Sequence, residues 1–475
     1  MKPLKIFLAD LTYDTITLST DVFPLNIGYI ASYAKSQFGS DVEIKLFKYI
    51  EKLEDELEHS SPDIIGFSNY SWCNRISREM SKIFLKLNPN GIIVWGGPNF
   101  PPDLPSQERF FKVNSIIDIY IPVEGEIGFS NVVEKALEIK SKEQFRNKML
   151  EEPIDGCITR LKNGKLQYSA SSIRTKQLDE IPSPYTTGIL DEFFDGRLAP
   201  MIQTNRGCPF SCTFCVDGSD LVNKVNSFSN ERVNEELHYI AKHVTSNMHS
   251  MHISDLNFGM YPKDLEVCDS IKEIQNKYGF PKYVKVTSGK NKKEKIIAAI
   301  KKLGKSTAMA MSVQSMDPQV LSNIRRDNIS KDALIALGPA LKDQGLSTVS
   351  DVIIGLPGES YLSTIQTIKS LVRADIDWID IWTLMLLDGS ELNTPKERKK
   401  WDLKSKFRII PRDFVKLKNG TVVTEIEEVG TGSNSLSFDE YTELRLLALI
   451  LRVTKSGTIF APLFKFLKEQ NVNAF

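Results

Sequence analysis

Three of the chain's six cysteines crowd into one short segment, Thr204-Asn205-Arg206-Gly207-Cys208-Pro209-Phe210-Ser211-Cys212-Thr213-Phe214-Cys215. Spaced C-x3-C-x2-C on a loop, three thiolates can wrap one cubane and ligate three of its four irons, leaving one iron open to an outside chelator. The competing chemistry is structural zinc, which wants a fourth protein ligand close by. None of the five histidines lies within twenty residues of the trio, and no H-x-E of the zinc deaminases precedes it. An iron–sulfur cluster, with Cys208, Cys212 and Cys215 as metal ligands, is therefore the leading reading and zinc the weaker one. Cys73, Cys157 and Cys268 stand alone and read as small buried residues.

The loop needs a scaffold, and the sequence around it alternates strand and helix. Over residues 1–140, apolar runs at 5–11, 42–48, 64–69, 92–95 and 117–122 are separated by helical stretches such as 25–38, 76–87 and 128–139. Runs this continuous in apolar residues are buried on both faces, which predicts an α/β domain with a doubly wound parallel sheet. Such sheets bind ligands beyond the carboxyl ends of their strands. There the sequence places Ser68-Asn69-Tyr70, Gly96-Gly97-Pro98-Asn99 and Glu124-Gly125-Glu126. The glycines either admit a large ligand close to the backbone or make ordinary tight turns. No G-x-G-x-x-G follows the first strand, which disfavours a dinucleotide.

Residues 141–199 read as a hairpin and linker, with Asn163-Gly164 as the turn and Pro182 and Pro184 in an extended stretch. Over 200–394, strands near 201–204, 251–253, 283–287, 308–313, 347–354 and 378–384 alternate with helices, as in a partial (β/α)6 barrel. Residues 395–475 form a small α+β region. It holds a hairpin over 414–426 turning at Asn419-Gly420, then a Ser437-Phe438-Asp439-Glu440 capping box opening a helix to about 453. The apolar stretch 459–467 is expected to pack on the barrel, the alternative being a membrane or lipid-like contact. Hydrophobic residues at 41% and charged residues at 25% are average for a globular protein. Sixty basic and sixty acidic side chains cancel, so no nucleic-acid partner is indicated. No run reaches transmembrane length, and a cytoplasmic location is expected.

With the cysteine loop closing the first barrel strand, the sequence resembles the radical S-adenosylmethionine (SAM) superfamily. The N-terminal domain ahead of the barrel makes it similar to the cobalamin-binding subfamily, although 395–475 match only loosely. The resemblance implies a [4Fe–4S] cluster whose open iron chelates SAM, and cleavage of SAM to a 5′-deoxyadenosyl radical. It places Phe214 against the adenine. Ser254 and Asp255 stand at the SAM amino group, where the family usually has Gly-Gly-Glu. Gln314 and Ser315 fall at the ribose and carboxylate, and Gly355 in the fifth-strand motif near the adenine. Ser68, Asn69, Gly96, Gly97, Glu124, Gly125 and Glu126 become cobalamin contacts. The sequence departs from the D-x-H-x-x-G pattern, having Asp10-Leu11-Thr12-Tyr13-Asp14 after the first strand and its N-terminal histidine, His59, on a distant helix. The expectation is cobalamin without a protein histidine on cobalt, which eases cobalt reduction and remethylation.

The activity this implies is methylation of an unactivated carbon in a small-molecule substrate, the protein's part being positioning and exclusion of water. Two rivals remain. One is a rearrangement, ring contraction or cyclisation without methyl transfer; the other is a non-catalytic cobalamin or iron–sulfur carrier or sensor. Methylthiolation of tRNA expects a cysteine-bearing N-terminal domain and a small basic β-barrel at the C-terminus, and the sequence has neither a cysteine trio before residue 200 nor a basic tail. The electron donor is expected to be of flavodoxin or ferredoxin type. Substrate should lie between the domains, near 14–21 and the C-terminal region.

Overall fold

The computed structural model describes residues 2–169, 174–289, 291–310, 312–328, 341, 346–454, 459–470 and 472. Its N-terminal sheet contains β1 (Leu4–Thr12), β2 (Val42–Tyr49), β3 (Ile64–Ser68), β4 (Ile92–Gly96), β5 (Ile119–Ile121), β6 (Ile158–Arg160) and β7 (Leu166–Tyr168), ordered β2-β1-β3-β4-β5-β6-β7. The first five strands run parallel. The 158–168 hairpin, antiparallel, extends this sheet at its β5 edge.

Alternation along β1 shows why the sheet is wound on both sides. Ile6 and Leu8 point into a core shared with α1 (Leu25–Phe38) and α5 (Glu126–Glu138). Phe7, Ala9 and Leu11 point into another, built with α2 (Ile50–His59), α3 (Asn74–Leu87) and α4 (Leu104–Val113). A strand buried on both faces must be apolar at nearly every position. The strand order reverses direction between β1 and β3, which opens a crevice at the carboxyl edge.

The second unit has β8 (Met201–Ile202), β9 (Ser250–Ile253), β10 (Tyr283–Lys285), β11 (Met309–Ala310), β12 (Thr348–Ile354) and β13 (Trp378–Thr383). They pair in parallel as two halves, β10-β9-β8 and β11-β12-β13. The six strands stand where the sequence puts them; Met311, within the expected 308–313 run, lies outside the described residues. Buried Met251, Ile253 and Val284 face helices α6 (Asn230–His243) and α7 (Pro262–Tyr278), which turns the alternate positions His252 and Lys285 to the inside of the barrel.

The C-terminal hairpin is longer than expected, with β14 (Lys404–Lys416) and β15 (Val422–Gly432). It straps the two units together. Near one end, Leu386 N–H donates to Glu428 O and Gly430 N–H to Leu384 O, beside the end of β13. Near the other, Leu417 and Val423 are buried in the N-terminal core. The helix α8 (Phe438–Thr454) opens with the expected capping box, Glu440 accepting from Ser437 N–H and Ser437 Oγ accepting from Glu440 N–H. One expectation fails: in α9 (Ala461–Glu469), Leu463 and Phe466 stay half-exposed, so this face is not packed on the barrel.

Glu425, on β15, is 1% exposed. It accepts from Arg75 N–H (3.0 Å), Ile76 N–H (2.9 Å) and Tyr13 Oη–H (2.8 Å), capping the free amides that open α3. Its replacement in Glu425→Ala leaves these buried donors without an acceptor and should destabilise the fold by about 3 kcal/mol. The expected result is a lower thermal-unfolding midpoint; an unchanged midpoint would rule out the cap.

Candidate functional site

The cysteine loop has little regular structure of its own, so side chains from other segments hold it. Asp255, buried after β9, accepts from Thr204 N–H (2.8 Å), Asn205 Nδ2–H (2.8 Å) and Thr204 Oγ1. Burial pushes its carboxyl up to about 7 against the pull of these donors. Both oxygens of Asp255 are thereby occupied within the protein, fixing the corner that enters the loop. Its neighbour Ser254 turns Oγ to Ile202 O (3.2 Å). Gly207 follows at φ +106°, and a Cβ there would lie 2.4 Å from Lys224 O, so only glycine fits. Cys208 N–H donates to Val222 O, Thr213 N–H to Ile324 O and Cys215 N–H to Cys212 O.

Cys208 and Cys212 are buried and Cys215 is partly so. Asn257 Nδ2–H approaches Cys208 Sγ at 3.3 Å. Phe214 packs beside Val320, Leu356 and Leu384. Gln314 holds a left-handed backbone, φ +64°, in an isolated bridge with Val352. That conformation is costly for a non-glycine residue and clusters at ligand sites. Ser315 is fully buried. Gly355, at φ +91°, donates its N–H to Glu359 Oε2, and burial pushes the Glu359 carboxyl up to about 8. The solitary cysteines are inert by environment: Cys73, Cys157 and Cys268 are buried, and burial pushes the thiols of the last two up to about 12.

At the carboxyl edge of the N-terminal sheet, several expected contacts are committed to the scaffold. Asn69 donates to Asn99 O (2.6 Å) and accepts from Asn74 Nδ2–H (2.8 Å). Gly97, at φ +123°, sits so close to Asn69 that a Cβ would be 2.9 Å from its carbonyl oxygen. Gly96 and Gly125 pack against Ile121 and Ile30, and Ser68 Oγ accepts from Asn26. Glu124 accepts from Arg174 Nε–H (2.9 Å) and Thr175 N–H (2.8 Å), while Glu126 accepts from Arg206 Nη2–H (2.8 Å). Arg206 also stands over the Tyr29 ring, 5.0 Å from its centre. The two acids thus grip the linker and the strand entering the cysteine loop. After β1, Asp10 is paired with buried Lys48 at 2.9 Å. His59 is exposed on α2 with Nδ1 on its own helix. Trp72 lies stacked on Tyr70 (centroids 4.5 Å apart) and 37% exposed, a surface the sequence reading overlooked.

The parts converge at Gly389, beyond β13, where an added Cβ would lie 2.0 Å from Pro98 O and 3.1 Å from Val216 Cγ1. Barrel, cysteine loop and N-terminal edge meet at this point. Around the loop, Asn257 Oδ1 and Gln314 Oε1 are buried without a hydrogen-bond partner. Buried polar atoms are almost always satisfied, so these acceptors suit a ligand that brings its own donors, as an ammonium or a ribose does. Among the described residues no set of three His, Cys, Asp or Glu side chains is gathered for a single metal ion. A cubane makes a different demand, one thiolate on each of three irons.

Residues 202–371 match the radical SAM superfamily. The chain is 26% identical over 470 residues to a cobalamin-dependent radical SAM methyltransferase, TokK, of Streptomyces tokunonensis, covering 94% of this chain and 65% of that protein. A 2-(S-pantetheinyl)-carbapenam-3-carboxylate methyltransferase of Streptantibioticus cattleyicolor matches with the same identity and coverage. The chain thus spans just under two thirds of the length of these relatives. Among solved structures, the radical SAM methyltransferase TsrM of Kitasatospora setae, with tryptophan and a SAM analogue bound, superimposes with a TM-score of 0.64 at 12% identity, covering 96% of this chain and 92% of that one. The cobalamin-dependent SAM radical enzyme OxsB with aqua-cobalamin gives 0.58 at 18% identity, over 96% and 62% of the two chains. Residues 202–371 thus form a radical SAM domain, and the chain shares the fold of these cobalamin-dependent enzymes.

Proposed function

We propose that this protein is a cobalamin-dependent radical SAM methyltransferase acting on an unactivated carbon of a small molecule. The observation that carries the reading is the meeting of the cysteine loop, the barrel mouth and the carboxyl edge of the N-terminal sheet around Gly389, Pro98 and Val216. When bound, the cluster supplies an electron for SAM cleavage and cobalamin supplies a methyl group. The names of the TokK and carbapenam relatives support methyl transfer.

In this reading Cys208, Cys212 and Cys215 hold the cluster. Asn257 Oδ1 and Gln314 Oε1 accept from SAM, with Phe214 and Gly355 bordering its adenine. Asp255 and Glu126 act through the loop they position. The N-terminal edge holds cobalamin without an imidazole, the exposed face of Trp72 standing where aromatic surface can pack against a corrin. Barrel walls exclude water from the reacting carbon. Reduction falls to a flavodoxin- or ferredoxin-type partner in the cytoplasm, where thiols stay reduced.

Anaerobic reconstitution with iron, sulfide, cobalamin and SAM tests the reading. With substrate, methylation should yield 5′-deoxyadenosine, S-adenosylhomocysteine and a product heavier by one methylene. 5′-Deoxyadenosine alone, with no change in product mass, would favour rearrangement, and bound cofactors without SAM cleavage would indicate a carrier or sensor.

Three variants sharpen this. Changing Cys208, Cys212 and Cys215 to alanine should abolish iron binding and SAM cleavage together, whereas Cys268→Ala should keep both; iron and sulfide assays decide. Replacing the orphan acceptor in Asn257→Leu should weaken SAM binding to the reconstituted protein about tenfold, near 1.4 kcal/mol. Equal SAM affinity in equilibrium dialysis would dismiss Asn257 as a ligand.

A further inference from the structure

We infer that Arg326 is the counter-ion of the cluster and holds its reduction potential up. This rests on the cysteine trio binding a [4Fe–4S] cluster, as proposed above. Arg326 is only 6% exposed. Its Nε–H donates to Asn328 Oδ1 (2.8 Å) and an Nη2–H to Ser312 O, both neutral acceptors. The side chains facing it are two cysteines and one carboxylate: Cys212 shares a hydrogen bond with the guanidinium, and Cys215 and Asp351 are its electrostatic neighbours. Asp351 is itself engaged by Trp382 Nε1–H (2.8 Å) and Ser312 Oγ.

A guanidinium taken out of water must find opposite charge. Here Asp351 supplies part of it, and Cys212 and Cys215 supply the rest once a cluster binds them as thiolates. The segment that carries Arg326 is fixed to both partners: Ile324 O accepts from Thr213 N–H in the cysteine loop, and Asn328 Nδ2–H donates to Val313 O and Ser315 O (2.7 and 2.9 Å) at the end of β11. The cation therefore moves with the loop.

Thiolates carry more negative charge than an oxidised core cancels, and reduction by one electron deepens the excess. Net charge and hydrogen bonds to sulfur set the potential of such clusters. A fixed cation stabilises the reduced form more than the oxidised one, so its loss makes the cluster harder to reduce. Asp351 opposes it by neutralising part of the same charge.

The test is an EPR-monitored redox titration of anaerobically reconstituted full-length protein, with iron and sulfide content measured for each variant. Arg326→Gln should shift the midpoint negative by at least tenfold in the reduction equilibrium, about 59 mV for one electron. Arg326→Lys, which keeps the charge but loses the planar fork, should shift less. Asp351→Asn should shift it the opposite way. If Arg326→Gln takes up no cluster while Arg326→Lys does, the need for a positive charge is upheld. A fully loaded Arg326→Gln protein with an unmoved or more positive midpoint, or an Asp351→Asn protein shifted negative, overturns the inference alone. Wild-type protein that forms no [4Fe–4S] cluster removes this inference and the reading beneath it together.

Discussion

Three cysteines held close in one irregular loop would repel one another as thiolates until a positive core joined them, and nothing in the loop's own backbone resists that repulsion. The fold meets this constraint from outside the loop. Asp255 ties the entering corner to the second barrel strand, Val222 and Ile324 carbonyls hold the backbone of Cys208 and Thr213, and Asn257 offers an N–H to one sulfur. Asp255 and Asn257 come from the connection after β9, Val222 from the stretch that follows the cysteines, and Ile324 from the end of the short helix Pro318–Asn323. The barrel's role at this site is to deliver those segments to one place.

The same logic joins the two units. Arg206, two residues before the first cysteine of the trio, is held by Glu126 at the start of α5 and lies over Tyr29 of α1. A buried arginine with a carboxylate partner and an aromatic face resists displacement, since removing one partner strands a charge. The β14–β15 hairpin adds a second tie, pairing beside β13 and capping α3 through Glu425. Two independent fastenings keep the N-terminal edge facing the loop.

How much of this is legible in the sequence follows from the range of each interaction. The five parallel strands are legible because double-sided burial writes itself into uninterrupted apolar runs, as in Ile64–Ser68 and Ile92–Gly96. The cysteine spacing is a local signal, legible without the fold. The 404–416 and 422–432 strands were read too short because their exposed outer ends, Phe407 and Ile409 among them, lack the alternation of a half-buried strand. Spacing also cannot tell which way a carboxylate turns. Glu124, Glu126 and Asp255 sit at ligand-binding strand ends, yet all three face protein donors about 50 to 80 residues distant. Arg326 and Glu425 gave no local sign at all, because their partners are 114 and 350 residues away in sequence for Cys212 and Arg75.

The edge of the N-terminal sheet shows why position and chemistry must be argued separately. After β1, where a histidine-coordinating domain would aim an imidazole at cobalt, Asp10 is neutralised by Lys48 and Tyr13 is turned away to Glu425. Among the described residues no histidine stands there, and the surface nearby is the Tyr70–Trp72 stack. An aromatic face excludes water and offers no electron pair to a metal, as an imidazole would. The residues after β1 are thus committed to the scaffold, and what the edge offers a ligand is aromatic surface.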